Sequence, residues 1–295
     1  MCVSAQQIDV LGIPWDFGSS FGRPGARYAP KTVRESMMFY TRRIQNGEIY
    51  DVDHKKIIDV SGVEFCDLGD LALCYGDLEG SYERMESACK ESMDAGHFFV
   101  AVGGDHSISY PLIKACHDRC LGKMGVIQFD AHLDLMDHSD LQGSFSHSSQ
   151  MRRAAELPRI DPANVVQIGV RGYNYAESFR FVRDSGITQF TVADVLEKGV
   201  AEVALETIEI ACRGTEMVYL TFDIDAFDSA YAPGTGGDDP FGLTPAQVFP
   251  MLEAIAPHIG AMDIAEVNPI CDRNDISSLI SAKMIFKTVI AKYCL

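Results

Sequence analysis

Positive charge is scarce in this chain. Twenty-five Lys and Arg stand against 42 Asp and Glu in 295 residues, a formal net charge of −17. Phosphate backbones are held by clustered Lys and Arg, so nucleic acid and an anionic membrane surface are poor partners. A cationic ligand or metal ions fit this balance better. Long apolar runs are missing too: nothing approaches the roughly 18 residues a membrane-spanning helix needs. The opening stretch MCVSAQQIDVLGIPWD lacks a basic segment leading into an apolar one, so no secretory signal is expected. There is no CxxC pair. The nine cysteines are odd in number and scattered, Cys116 and Cys120 being the nearest two, which argues for reduced thiols in a cytoplasmic protein. No internal repeat, low-complexity tract or linker divides the chain, and residues 1–295 are expected to form a single domain.

What is present is an alternation. Apolar, β-branched runs at 8–13, 63–67, 97–102, 124–129, 165–170, 187–190, 217–222 and 259–266 predict strands. Helical patterns near 30–38, 80–95, 109–120, 145–157, 175–185, 199–213, 244–256 and 276–292 lie between them. Thr244, Pro245 and Gln247 make a helix start with a capping box, and Pro250 predicts a kink or an early break. Continuous apolar strands separated by helices imply an α/β fold with a parallel sheet covered on both faces.

Four polar motifs each follow one of these strands: GGDHS (103–107), DAHLD (130–134), DIDAFD (223–228) and AEVNP (265–269). Ligands of open α/β sheets bind outside the carboxyl ends of the strands, so four segments would deliver polar groups to one edge. Side chains at i, i+2 and i+4 of an extended chain share a face. On that rule Asp130, His132 and Asp134 point one way, as do Asp223 and Asp225. With His106 they make four carboxylates and two imidazoles, too many acids for one zinc ion. Two divalent ions such as Mn²⁺, bridged by shared aspartates, would use all six.

Two further residues suit chemistry beside such ions. His147, thirteen residues after Asp134 in GSFSHSSQMRRA, has the titration range of a proton shuttle. Glu266 ends a buried strand and would make a carboxylate clamp for a planar cation. The remaining histidines, His54, His97, His117, His138 and His258, lack such a setting.

These residues resemble the ureohydrolase family of arginase, agmatinase, guanidinobutyrase and relatives. The likeness begins at GIPWDFGSSFGRPGARYAPKTVRES. It continues through GGDHS, FDAHLD, SHSSQMRRA and FDIDAFDSAYAPGTG to DIAEVNPICD. It implies a three-layer α/β/α fold on an eight-stranded parallel sheet, assembled as a homo-trimer or homo-hexamer. It also implies one Mn²⁺ on His106, Asp130, Asp134 and Asp223 and another on Asp130, His132, Asp223 and Asp225, with Ni²⁺ or another divalent ion as substitutes. A hydroxide between the ions would attack the guanidinium carbon of a small cationic guanidino substrate. Asp134 would take its proton, His147 would shuttle protons to the leaving amine and Glu266 would hold the guanidinium, releasing urea and an amine.

The chain departs from agmatinases at Ser148, Ser149, Gln150 and Met151, and from the family loop at 237–241, both expected at the pocket rim. Asp238 and Asp239 would suit a second cationic group, and agmatine, cleaved to putrescine and urea, is the favoured substrate. Guanidinobutyrate, guanidinopropionate, arginine, free guanidine and formimidoylglutamate are the alternatives within the family. A non-catalytic family subunit is the alternative outside enzymology. A zinc deacetylase of related fold is disfavoured, because it keeps one ion site and the set here is complete for two.

Overall fold

The structure, a computed structural model, describes residues 5–19, 23–138 and 140–295. Residues 20–22 of the N-terminal motif therefore lie outside the described residues. Ten strands run in chain order: β1 Gln6–Gly12, β2 Glu48–Asp51, β3 Lys56–Asp59, β4 Val63–Asp70, β5 Phe98–Val102, β6 Lys123–Phe129, β7 Ile160–Val170, β8 Thr188–Thr191, β9 Thr215–Asp223 and β10 Ala261–Ala265. Eight of them form one parallel sheet in the order β4-β1-β5-β10-β9-β6-β7-β8. They correspond to the eight apolar runs of the sequence. The hairpin of β2 and β3 is additional. It escapes the pattern because its residues are short, charged and largely exposed.

Helices cover both faces, as continuous apolar strands require. One face is packed by α1 Ala29–Thr41, α7 Val200–Ala211, α8 Pro245–Ile255 and α9 Ile276–Tyr293. The other is packed by α2 Leu78–Asp94, α3 Ser109–Arg119 and α4 Gln150–Ala155. Strand alternation feeds both layers: Ile127 and Phe129 of β6 join the first core, while Met124 and Val126 join the second. The helix α5 spans Ala176–Ser185, and α6 spans Val192–Lys198, which sequence reasoning merged into the neighbouring loop.

Two local expectations are corrected. Of the kink or early break expected at Pro250, the early break does not occur, and the helix runs through to Ile255. Proline removes one backbone donor, and burial of Val248, Met251, Leu252 and Ile255 against the sheet holds the turns on either side. At its start Gln247 Oε1 accepts the Thr244 N–H at 2.8 Å, as the capping box predicts. The helix expected over 145–157 shortens to Gln150–Ala155. Ser146 and Ser149 hydrogen-bond each other and the local backbone, the usual competition of serine with a helix.

The four motif-bearing strands, β5, β10, β9 and β6, are consecutive at the centre of the sheet. Their carboxyl ends share one edge, so the fold itself gathers residues separated by up to 160 positions in the chain.

Away from that edge, Asp118 of α3 ties two helices together. It accepts from Lys90 of α2 at 3.1 Å and from Lys114 at 3.2 Å, and lies 3.0 Å from His117 Nδ1. Burial pushes its carboxyl up, but these partners outweigh burial and leave it at about 2, against an ordinary 3.8. A depressed carboxylate stabilises the fold above its unfolded value, and the contribution fades as pH falls toward the folded one. Asp118→Asn is therefore expected to lower the urea midpoint at pH 6. The gap to wild type should close between pH 4 and 2, as measured by urea unfolding across that range.

Candidate functional site

The turn after β5 comes first. Gly103 and Gly104 both have left-handed backbones, φ 86° and 87°. A Cβ on Gly104 would sit within about 3 Å of the Ile13 and Trp15 carbonyls, so only glycine fits. That turn delivers His106 into the space beyond the sheet edge, where its ring is 1% exposed. Its Nδ1 lies 3.0 Å from Asp130 Oδ2, 3.0 Å from Asp134 Oδ2 and 3.2 Å from Asp223 Oδ2.

The other ring nitrogen fixes the tautomer. His106 Nε2 is 2.8 Å from Thr221 Oγ1, whose own hydroxyl donates to Asp263 Oδ1 at 2.8 Å. With its proton committed, Thr221 accepts from His106 Nε2–H, and the bare Nδ1 lone pair then faces three carboxylate oxygens. Buried lone pairs pointed at one another are repulsive unless a cation stands between them. Nδ1 has no ordinary hydrogen-bond partner. A metal ion is the group that fits this donor set.

A second group shares Asp130. His132 Nδ1 lies 3.0 Å from Asp225 Oδ2 and 3.5 Å from Asp130 Oδ1. His106, Asp130 and Asp223 could hold one ion, and Asp130, His132 and Asp225 another. Asp130 turns one oxygen to each group, the geometry of a bridging ligand. Asp223 faces the first group with Oδ2, while its Oδ1 accepts the Asp225 N–H at 2.8 Å.

The same-face rule that suggested these ligands is not what assembles them. β6 ends at Phe129 and β9 at Asp223, and the ligands beyond lie in turns. Asp134 reaches the His106 side through a left-handed backbone, φ 52°, held by Arg152 N–H donating to its carbonyl at 3.2 Å. Glu266 is also left-handed, φ 60°, with its N–H on the Gly104 carbonyl at 2.9 Å. Such conformations cost on the order of 1 kcal/mol or more for non-glycine residues.

Electrostatics agree with a cluster suited to cations. Burial lowers His106, but Asp130, Asp134 and Asp223 outweigh it and pull the imidazole well above its ordinary value. His132 is raised, first by the charge of Asp225. Burial and the Asp130 charge push Asp134 up to about 6, and burial with the charges of Asp225 and Asp130 pushes Asp223 well up. Protons are thus drawn to the positions where divalent ions would supply charge.

On the cavity wall, Glu266 Oε1 accepts the His106 backbone N–H at 2.9 Å and lies 3.1 Å from His147 Nδ1. Burial lowers His147, but Glu266, Asp105 and Asp134 outweigh it and raise the imidazole to about 9. The cavity, about 490 Å³, is lined by His132, Asp134, Asp223, Asp225, His147 and Glu266 at depth. Towards solvent it is lined by Arg23, Tyr173, Asn174, Tyr175 and Ser148 among others.

The rim residues expected from the sequence are redistributed. Asp238 does not line the cavity; it is ion-paired with Arg23 at 2.5 Å. Asp239 lies against Gly172, with its carbonyl accepting from Arg171 Nε at 3.0 Å, and is likewise absent from the lining. Of residues 148–151 only Ser148 reaches the cavity. Gln150 is buried and donates to Asp134 Oδ2 at 2.6 Å, and Met151 sits in the core. Asp137 pairs with Arg153 outside the cluster.

Thr221 and Gln128 were missed by sequence reasoning, Gln150 was expected only at the rim, and Asp263 was given no role. Thr221 and Gln128 carry a usable signal, since each stands two residues before an acidic ligand on the same strand face.

Comparison with known proteins decides the lineage. The family model described as "Arginase family" matches residues 6–291. The chain belongs to the arginase family. It is 34% identical over 278 residues to agmatinase from Cronobacter sakazakii, covering 93% of this chain and 84% of that one. It is 32% identical over 292 residues to guanidinopropionase from Pseudomonas aeruginosa, covering 96% and 86%. Among solved structures, proclavaminate amidinohydrolase from Streptomyces clavuligerus superposes with a TM-score of 0.83 at 28% identity, over 99% of this chain and 93% of that one. This arginase-family chain is a metal-dependent amidinohydrolase with the fold the resemblance implied. Among the described residues no helix is long and apolar enough to cross a membrane.

Added Mn²⁺ is expected to raise the melting temperature. An ion present at about a thousand times its Kd contributes roughly 4 kcal/mol per site. Asp130→Asn should abolish most of that gain, measured by thermal unfolding with and without Mn²⁺.

Proposed function

We propose that the protein hydrolyses a small linear guanidino compound to urea and an amine, using two divalent ions, Mn²⁺ first among them. The observation that carries this reading is the pair of acid–imidazole groups sharing Asp130 at the floor of a cavity whose wall presents Glu266 and His147. When bound, two such ions polarise a water molecule into a nucleophile at neutral pH and stabilise charge on the attacked carbon's substituents.

The chain's own residues supply the rest. Glu266 is anionic, buried and on the cavity wall, suited to a planar guanidinium that donates paired N–H groups. Asp134, whose carboxyl is raised by burial, is the group proposed to accept a proton from the attacking water. His147 keeps its proton to high pH and can hand it to the departing amine, since Glu266 and its neighbours raise it to about 9.

The substrate's tail divides the reading in two. Agmatine, with a second cation, is supported by the agmatinase relative. A guanidino acid, with a carboxylate tail, is supported by the guanidinopropionase relative and by one specific feature of the rim. Asp238 and Asp239 do not line the cavity, whereas Arg23 does. Its pair with Asp238 is solvent-exposed, 60% and 38%, and such pairs contribute about 0–1 kcal/mol. A carboxylate tail can take Arg23 at little cost, and the rim favours this second reading. A cytoplasmic chain folded as one domain and assembled as a trimer or hexamer is the accompanying proposal. One sheet drawing strands from Gln6 to Ala265 supports the single domain.

Urea release from guanidinopropionate, guanidinobutyrate, agmatine, arginine and free guanidine, with Mn²⁺ and Ni²⁺ compared, tests both levels. Faster turnover of the guanidino acids is expected, with release from none of them refuting the class. His147→Asn should reduce kcat by about 10²–10⁴-fold at unchanged metal content. Arg23→Ala should raise KM for guanidino acids and leave KM for agmatine level or lower, read from initial rates.

A further inference from the structure

Three glutamines lie side by side across the sheet: Gln128 of β6, Gln167 of β7 and Gln189 of β8. They are in register, Gln128 opposite Gln167 and Gln167 opposite Gln189. Gln128 and Gln167 are fully buried. Burying an amide costs free energy unless each polar atom is paired, and apolar side chains would fill these positions without that demand. The pairing here has a direction. Gln189 Nε2 donates to Gln167 Oε1 at 2.7 Å, Gln167 Nε2 donates to Gln128 Oε1 at 2.6 Å, and Gln128 Nε2 donates to Asp130 Oδ2 at 2.5 Å. Gln167 Nε2 also donates to the Leu133 carbonyl at 2.7 Å. A carboxylate and a carbonyl can only accept, so the two inner ends fix the orientation of every amide in the row.

The row terminates on the acid shared by both candidate ion groups and on the loop carrying the other ligands. Asp130 Oδ2 receives Gln128, and Oδ1 receives the His132 backbone N–H at 2.6 Å. Each carboxylate oxygen is thus held by one N–H, with lone-pair capacity left for an ion. Leu133 is flanked by His132 and by left-handed Asp134. We infer that the Gln128–Gln167–Gln189 row is a positioning device for the two-ion site, with Gln128 orienting the bridging carboxylate and Gln167 the ligand loop. This rests on the reading of the cluster as an ion site, and it assigns a role to residues 128, 167 and 189 that the reaction itself does not require.

The test is Mn²⁺ binding, followed by calorimetric titration into the chelator-treated full-length chain. Gln128→Met keeps volume and removes the donor. It is expected to weaken Mn²⁺ about 10–100-fold, the range for lost partners of metal ligands. Gln189→Met, at the half-buried outer end and touching no ligand, should weaken it less and in the same direction. It serves as the deciding variant should Gln128→Met fail to fold. Wild-type affinity in the variant that folds overturns the proposal. So does a fall in the melting temperature of the chelator-treated protein with Mn²⁺ affinity unmoved, because that would make the row merely structural. A wild-type chain that binds no Mn²⁺ instead defeats the ion-site reading, and the positioning role with it.

Discussion

The imidazole of His106 is the point around which this molecule is organised. One nitrogen is committed to Thr221, which is committed in turn to Asp263, and Tyr219 donates to the second oxygen of Asp263 at 2.8 Å. The other nitrogen is left facing Asp130, Asp134 and Asp223 with nothing ordinary to bond. Asp130 and Asp134 come from the turn beyond β6, and Asp223 from the end of β9. Their mutual repulsion in a buried setting is far from negligible, and protons alone relieve it only by neutralising Asp134 and Asp223. Divalent cations held by these residues would relieve it without neutralising the carboxylates. Site and fold are therefore coupled through one unpaired lone pair.

Precision at that point is supplied by rigid surroundings. The central strands hold Asp130, Asp223 and Glu266 from below. Two non-glycine residues with left-handed backbones, Asp134 and Glu266, are held in place by Arg152 and by the Gly104 carbonyl. The strain stored there is small beside the packing of two hydrophobic layers on the sheet. Relaxation of either turn would swing Asp134 away from His106 or Glu266 away from His147. The row of glutamines entering from β8 belongs to the same economy, since it constrains a carboxylate with neutral donors and adds no further charge to an acidic cluster.

The outer cavity follows different physics. Tyr173 and Tyr175 are exposed, and the Arg23–Asp238 pair is open to water. Interactions there are weak enough to exchange with a ligand. The floor of the cavity is thus buried and densely paired, whereas its rim is open to water.

Much was legible from the linear chain because its signals are local. Apolar runs marked all eight strands of the sheet, and polar clusters immediately after four of them marked the residues that meet at its edge, His106, Asp130, His132, Asp134, Asp223, Asp225 and Glu266, while His147 stood out in a serine-rich segment of its own. Periodicity needs no knowledge of distant residues. It failed where burial is slight, at the β2–β3 hairpin, and where serines compete with the backbone, ahead of Gln150. The sequence by itself determined which residues carry the charge and that they must meet at one edge of a parallel sheet. Only the tertiary structure decided how they meet: which oxygen of Asp130 serves which imidazole, and that Asp134 arrives through a left-handed turn. It also removed Asp238 to Arg23, Asp239 to Gly172 and Gln150 to Asp134. The physical reason is that hydrogen-bond partners up to 246 residues apart are chosen by the packing of whole layers, which no short stretch of sequence encodes.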